Sequence, residues 1–388
     1  MVAGATIGDT QTRAEEDVSY YRPELDALRF FAFLLTFFWH RMAHVPTDPV
    51  DDLWAWRLGT MGAFGLPVFF LLSAFLITEL LLRERDRLGR IHIRAFYIRR
   101  ILRIWPLYFA AFYSLVALNF LVPGVGTSDP LAWLAFSLFA GNWYVTFQGW
   151  IAAPIDPLWS ISVEEQFYLM IPGLISLGGR RLLVITAALM LLGSYLTIGL
   201  YAWDRPPGDQ GEWTNSFFQF QFFAAGVLLA VFLRGRLPSL SWTVRVLAFL
   251  AGFTLWLIAI AVFEIRSWDP RPTLVGALIG WTLVLSGTVA FFIGTLGISK
   301  AIIPSWIAHL GRISFGLYIV HSLLFVMIFD KLRPALGVDA ITLPVDVAAT
   351  IAVLLISIGF AHLSFRHFER PILRYKSAFT FVKAREDR

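Results

Sequence analysis

The chain has no cysteine, and that absence removes disulfides, thiolate metal sites and any acyl-cysteine intermediate. Charge is also scarce. Only 15% of the 388 residues are Asp, Glu, Lys or Arg, against 57% hydrophobic, and the mean hydropathy is +0.68. A water-soluble core of this size needs far less apolar sequence, so the solvent for most of the chain is a lipid bilayer. No stretch between Leu25 and Phe365 is polar and long enough for a soluble domain. The first 22 residues hold Arg13, Glu15, Glu16 and Asp17 without an apolar core, so they read as a polar tail and not as a secretory signal. Lysine is nearly missing as well, with four against 28 arginines. The net charge of +5 is confined to particular loops, as membrane topology demands, so no nucleic-acid partner is expected.

What is present is a series of apolar stretches of helical membrane-spanning length, roughly 20 residues each. Spans are placed near 25–44, 63–82, 104–122, 158–177, 182–200, 216–233, 244–263, 273–297, 312–329 and 345–364. The fold class is therefore an all-α integral membrane bundle of about ten transmembrane helices. Between Leu82 and Ile104 stand Arg83, Arg85, Arg87, Arg90, Arg94, Arg99, Arg100 and Arg103, which the positive-inside rule places in the cytoplasm. The preceding stretch, with Asp48, Asp51 and Asp52 against Arg57, falls outside, and both termini fall inside. The expected layout is a polar cytoplasmic N-terminal tail over 1–22, a transmembrane domain over 23–366 and a basic cytoplasmic C-terminal tail over 367–388, in a multi-pass inner-membrane protein. Residues 131–147 are apolar enough to span but would invert every later loop, so they are read as a re-entrant or outer-side segment.

Ionisable residues inside such helices are costly and mark candidate sites. In the first span Pro23 suits a helix start, and Glu24 and Asp26 suit its dipole. Arg29 and His40 are eleven residues apart, which on a helix means about 20° around the axis and about 16 Å along it. They share one face, as a polar stripe lining a cavity or as anchors at the two interfaces. In IDPLWSISVEEQFYL, Asp156 is positioned to cap a helix with Pro157 at its first position, and the adjacent carboxylates Glu164 and Glu165 follow two turns in. Glu164 is expected at a depth that His40 shares, where a carboxylate would fix the imidazole's tautomer and make it a general base. Alone, the carboxylates fit an ion pair in the bundle equally well. Arg100 and Arg103, three apart at the cytoplasmic mouth beside Arg99, suit phosphates, although anchoring also accounts for them. In the ninth span Ser314, Tyr318 and His321 stand on one stretch, and His321 by itself fits a hydrogen-bonded packing role.

Taken in order, seven segments resemble the acyltransferase 3 family of membrane acyltransferases, which modify surface carbohydrates and some antibiotics. They are YRPELDALRFFAFLLTFFWH, FFLLSAFLITELL, RRILRIWPLYF, Asn142 ahead of the carboxylates, LWSISVEEQFYL, LGRISFGLYIVH and a closing FERP at 368–371. The resemblance spans nearly the whole chain. It implies that the pair Arg29 and His40 is essential, that Arg100 and Arg103 serve an acyl-CoA donor, and that the family's carboxylate falls on Glu164. The family's usual Ser-Gly-Phe is Ser73-Ala74-Phe75 here, and its frequent His-Pro is His321-Ser322, which bears on the role of Ser73.

The resemblance implies an enzyme that moves an acyl group, acetyl being the expected one, from acyl-CoA to a hydroxyl of a cell-surface carbohydrate or glycoconjugate. His40 is expected to be its general base, the alternative being that it carries the acyl group itself, with Arg29, Tyr168 or Asn142 as candidate oxyanion donors. Acyl-CoA is a co-substrate, and no bound cofactor or metal is expected. Many relatives carry an appended extracytoplasmic hydrolase-like domain; only 12 residues follow Lys376 here, so this chain is expected to act alone or with a separate partner. Acylation of a macrolide or another secreted metabolite is the alternative within the class. A proton-coupled transporter or flippase is the alternative outside it, and its inverted repeats are not visible in the sequence.

Overall fold

The computed structural model describes residues 21–43, 53–204, 211–265, 272–337 and 343–381. Residues 1–20 of the expected N-terminal tail, residues 382–388 of the expected C-terminal tail and most of the acidic stretch at 46–58 lie outside these. All regular structure among the described residues is helical. Among the described residues eight helices are long and apolar enough to cross a membrane, which makes the chain a multi-pass membrane bundle.

Helix α1 (Pro23–Ala43) begins at the expected proline. A short α2 (Leu53–Met61) leads through a single tight turn into α3 (Gly65–Leu88), and α4 (Ile93–Asn119) follows. The arginine-rich stretch was expected to be a loop. It is instead the end of α3 and the first turns of α4, joined at Gly89, which closes α3 in a left-handed conformation. Charge bias reads sidedness and not backbone state, which is why the two differ.

The ambiguous segment forms α5 (Pro130–Ser137) and α6 (Gly141–Gln148), eight residues each and so about 12 Å long. Neither is long enough to span. A helical stretch over Asp156–Trp203 is 48 residues long. Its main part, α7 (Trp159–Trp203), breaks at Gly179, where φ is +56°. With ψ at −143° this is a conformation open to glycine and not to residues with a Cβ, and the Arg85 guanidinium packs into the bend. The break falls between the two expected spans at 158–177 and 182–200.

Then come α8 (Ser216–Leu233), α9 (Trp242–Ala261) and α10 (Leu274–Thr295). The expected ninth span at 312–329 is α12 (Ser314–Phe325) continued as a π-helical stretch over Val326–Leu332, and a short α11 (Ser305–Arg312) precedes it. Helix α13 (Leu343–Ser364) likewise continues as π-helix over Phe365–Glu369, and tight turns run on to Phe379. The described part of the C-terminal tail is thus helical.

Helix α8 packs against both α3 and α7. A Cβ on Gly226 would lie 2.3 Å from the Leu71 carbonyl oxygen and 2.8 Å from Ala74 Cβ. With alanine at 74, the close contact between these two helices is supplied by the glycine of α8. Helix α1 joins two apolar clusters: Leu25, Leu28 and Ala32 belong to the main one, Phe33 and Phe37 to a second built with Leu317, Phe325, Phe329 and Val353. His40 follows at the end of the second.

Candidate active site

Two constellations form at opposite ends of α1. At its start, α11 comes so close that a Cβ on Gly311 would lie 1.8 Å from the Asp26 carbonyl oxygen. Arg29 donates to the Asp26 carboxylate at 2.9 Å. Arg103 on α4 lies within electrostatic reach of both, donates to the Arg312 carbonyl oxygen at 3.2 Å and faces Glu369 at 4.0 Å. The closing FERP segment thus contributes a buried counter-ion. The guanidinium of Arg100 lies over the rings of Phe96 and Tyr168, at 5.9 and 5.8 Å. Its Nε is buried and makes no hydrogen bond.

Glu164 belongs to this end. Its Oε2 accepts hydrogen bonds from Ser73 Oγ at 3.2 Å and from the Tyr168 hydroxyl, and its charged neighbours are Arg29 and Arg100. Its hydrogen-bond partners are thus Ser73 and Tyr168 and not the His40 imidazole, while Tyr318, from the His40 end, also lies within its electrostatic reach. Ser73 stays in the site despite Ala74, because the two face different helices. Glu165 turns the other way, accepting from Trp105 Nε1 at 3.2 Å while its Oε1 is buried without a partner. Trp105 gave no sequence signal beyond being aromatic.

Two more expectations change. Arg99 donates to Glu84 at 3.2 Å and to the Phe379 carbonyl oxygen, so its guanidinium is spent on holding the C-terminal segment and is not open to a phosphate. Glu84 also accepts from the backbone nitrogen of His92 at 2.8 Å. Asn142 is fully buried, with its amide hydrogens committed to the Thr214 carbonyl oxygen at 3.1 Å and Ser216 Oγ at 2.9 Å. Its Oδ1 accepts from Gln166 at 2.9 Å. An oxyanion would find no donor there; Asn142 clamps α6 to α7 and α8. Asp156 likewise caps no helix; its carboxylate accepts from the amides of Ile151 and Ala153 in the preceding loop. Nearby, the Tyr144 hydroxyl donates to Asp129 at 2.7 Å and holds that carboxyl below its usual range. Burial, then the Asp129 acceptor, pushes Tyr144 up to about 12.

At the far end of α1, His40 Nδ1 lies 2.7 Å from His321 Nε2, with the rings stacked at 4.9 Å. His321 is fully buried and its Nδ1 is 2.7 Å from the Tyr318 carbonyl oxygen. Tyr318 is fixed in turn, its hydroxyl 3.0 Å from the Pro157 carbonyl oxygen and 2.8 Å from Ser160 Oγ. The neighbouring Arg41 pairs with Asp346, donates to Thr350 Oγ1 at 3.0 Å and lies 4.1 Å over the Phe329 ring. These contacts tie the end of α1 to α12 and α13. Sequence reading missed Arg41, whose only signal was a charge beside His40.

A family model described as an acyltransferase domain matches residues 22–362. A Staphylococcus aureus (strain MSSA476) protein named for O-acetyltransferase activity is 32% identical over 167 residues, covering 39% of this chain and 24% of the relative. A Bacillus subtilis (strain 168) protein named for peptidoglycan O-acetylation is 27% identical over 380 residues, covering 91% of this chain and 55% of the relative. Nodulation protein 10 of Rhizobium leguminosarum bv. viciae is 28% identical over 264 residues, 63% of this chain and 67% of the relative. The chain thus spans about a quarter to about half of the length of the first two relatives. No solved structure matches.

Proposed function

This chain belongs to the acyltransferase 3 family and is a membrane acyltransferase; from that premise we propose that it moves an acyl group, acetyl foremost, from cytoplasmic acyl-CoA to a hydroxyl of a cell-surface carbohydrate or glycoconjugate. The relatives named for O-acetylation, one of them of peptidoglycan, support the acetyl group and the carbohydrate acceptor. The topology that goes with it has ten spans and both termini in the cytoplasm of an inner-membrane protein. It takes the eight apolar helices, counts α7 twice across its bend, and adds α1, whose charged residues lower its hydropathy.

The observation that carries this reading is that α1 has a guanidinium cluster at its start, its own Arg29 with Arg100 and Arg103 of α4, and a paired imidazole at its end. Acyl-CoA would place its phosphates on Arg100 and Arg103, with Arg100 the better donor because it makes no competing hydrogen bond among the described residues. Glu164 offsets the charge of Arg29 and Arg100 when no phosphate is present. The pantetheine arm would run along the Arg29 stripe and bring the thioester to His40. Arg29 is too far along α1 to touch a carbonyl held at His40, so its part is to guide the donor and not to bind the oxyanion.

At His40, the acceptor hydroxyl gives its proton to the imidazole as its oxygen attacks the thioester carbon. The tetrahedral intermediate then collapses, the C–S bond breaks, and the imidazolium returns the proton to the departing CoA thiolate. The test is CoA release from acetyl-CoA by the purified chain in vesicles, with and without a glycan acceptor. Acceptor-dependent release that His40→Ala abolishes is expected. Turnover at the wild-type rate by His40→Ala would overturn the assignment.

A further inference from the structure

We propose that His321 is the positioning residue that sets the tautomer of His40, so that Nε2, and not Nδ1, is the nitrogen that takes the proton. The inference rests on the reading of His40 as a base, and it follows from the direction in which two hydrogen bonds must run. The Tyr318 carbonyl oxygen can only accept, so His321 Nδ1, 2.7 Å away, carries a hydrogen. A second hydrogen on His321 Nε2 would make the ring a cation. That ring is fully buried and packed edge-on or tilted by Phe33, Phe37 and Phe325, with no carboxylate of the described residues in contact with it. An unpaired charge in such a site is far too costly, so His321 is neutral and its Nε2 is a lone pair.

That lone pair is 2.7 Å from His40 Nδ1, which must therefore be the donor. A neutral His40 carrying its hydrogen on Nδ1 has its lone pair on Nε2. When Nε2 takes a proton from the acceptor hydroxyl, the positive charge that forms stays hydrogen-bonded to His321. A carboxylate does this in the serine-protease arrangement; here a buried neutral imidazole, held by a backbone carbonyl, fills that place. The Tyr318 hydroxyl, bound to Pro157 and Ser160, locks α12 in the register that this chain of bonds requires.

Isosteric substitutions separate this role from simple packing. In His321→Gln the side-chain oxygen reaches the position of Nε2 and still accepts from His40. In His321→Asn the side chain reaches only the position of Nδ1, and in His321→Phe neither atom is replaced. The expected result is a kcat about 10²-fold lower for the Asn and Phe variants, unchanged KM for acetyl-CoA and glycan, and recovery of most of the activity in Gln. Wild-type kcat in His321→Asn, or a Gln variant no better than Phe, would overturn the proposal while the loss in His40→Ala still stood. Activity in His40→Ala would instead sink the base assignment. A measurement on the unaltered protein decides the tautomer independently of folding in the variants: ¹⁵N NMR of histidine-labelled chain in vesicles, the His40 signals being assigned by their loss in His40→Gln. Protonated Nδ1 with unprotonated Nε2 is expected; the reverse overturns the proposal.

Discussion

Replacing Arg100 with alanine should raise the KM for acetyl-CoA and leave kcat nearly unchanged. Of the three arginines expected to serve the phosphates, Arg100 alone makes no hydrogen bond among the described residues; Arg99 is committed to Glu84 and Phe379, and Arg103 divides itself between Arg312 and Glu369. A charge-assisted hydrogen bond contributes about 1.5–3 kcal/mol. At 298 K that corresponds to a KM increase of about 10- to 150-fold for Arg100→Ala. Arg103→Ala should cost less in KM and more in stability, because it strands Glu369, which is only 5% exposed. Arg99→Ala should leave KM within about 2-fold, since it opens no phosphate contact. The assay is initial-rate CoA release with two donors, acetyl-CoA and acetyl-pantetheine, which lacks the phosphates. The Arg100→Ala loss should vanish with acetyl-pantetheine. An equal loss with both donors, or a loss in Arg99→Ala as large as in Arg100→Ala, would refute the phosphate assignment.

Asn142→Ala should lower thermal stability by about 1–3 kcal/mol, measured by unfolding in detergent, because the Thr214 carbonyl oxygen loses a buried partner. Gly226→Ala should cost a similar amount, about 1–3 kcal/mol, since its methyl group would press on the Leu71 carbonyl and force α8 away from α3. The Asp129–Tyr144 bond gives a pH dependence of known sign. A carboxyl held below its usual value of about 3.9 stabilises the segment above that pH and loses the contribution as pH falls through the lowered value. Hydrogen exchange at 129–148 should therefore quicken only in strong acid in the native chain, and be fast already at pH 7 in Asp129→Asn.

Much of the bundle is legible in composition, because a bilayer leaves a chain of this hydropathy little choice but helices. The start of α1 at Pro23 and the shared face of Arg29 and His40 follow from local rules alone. The partner of His40 does not: His321 stands 281 positions away, and nothing in its own surroundings distinguishes a packing histidine from one aimed at another imidazole. Glu164 was expected beside His40 from a depth counted along its own helix; the hydroxyl of Ser73, which it accepts from, is delivered by α3, and local spacing carries no sign of it. Asn142 became a candidate through its place ahead of the carboxylates in the family resemblance, while the Thr214, Ser216 and Gln166 groups that satisfy it arrive from other helices.

The grip of Arg99 on the C-terminal segment falls on a main-chain oxygen, that of Phe379. Such a grip is indifferent to which side chain stands at 379, so the segment can change its residues without losing its hold. It cannot lose its length: a chain cut before Phe379 would leave Arg99 without that acceptor and return a guanidinium to the mouth through which the donor enters.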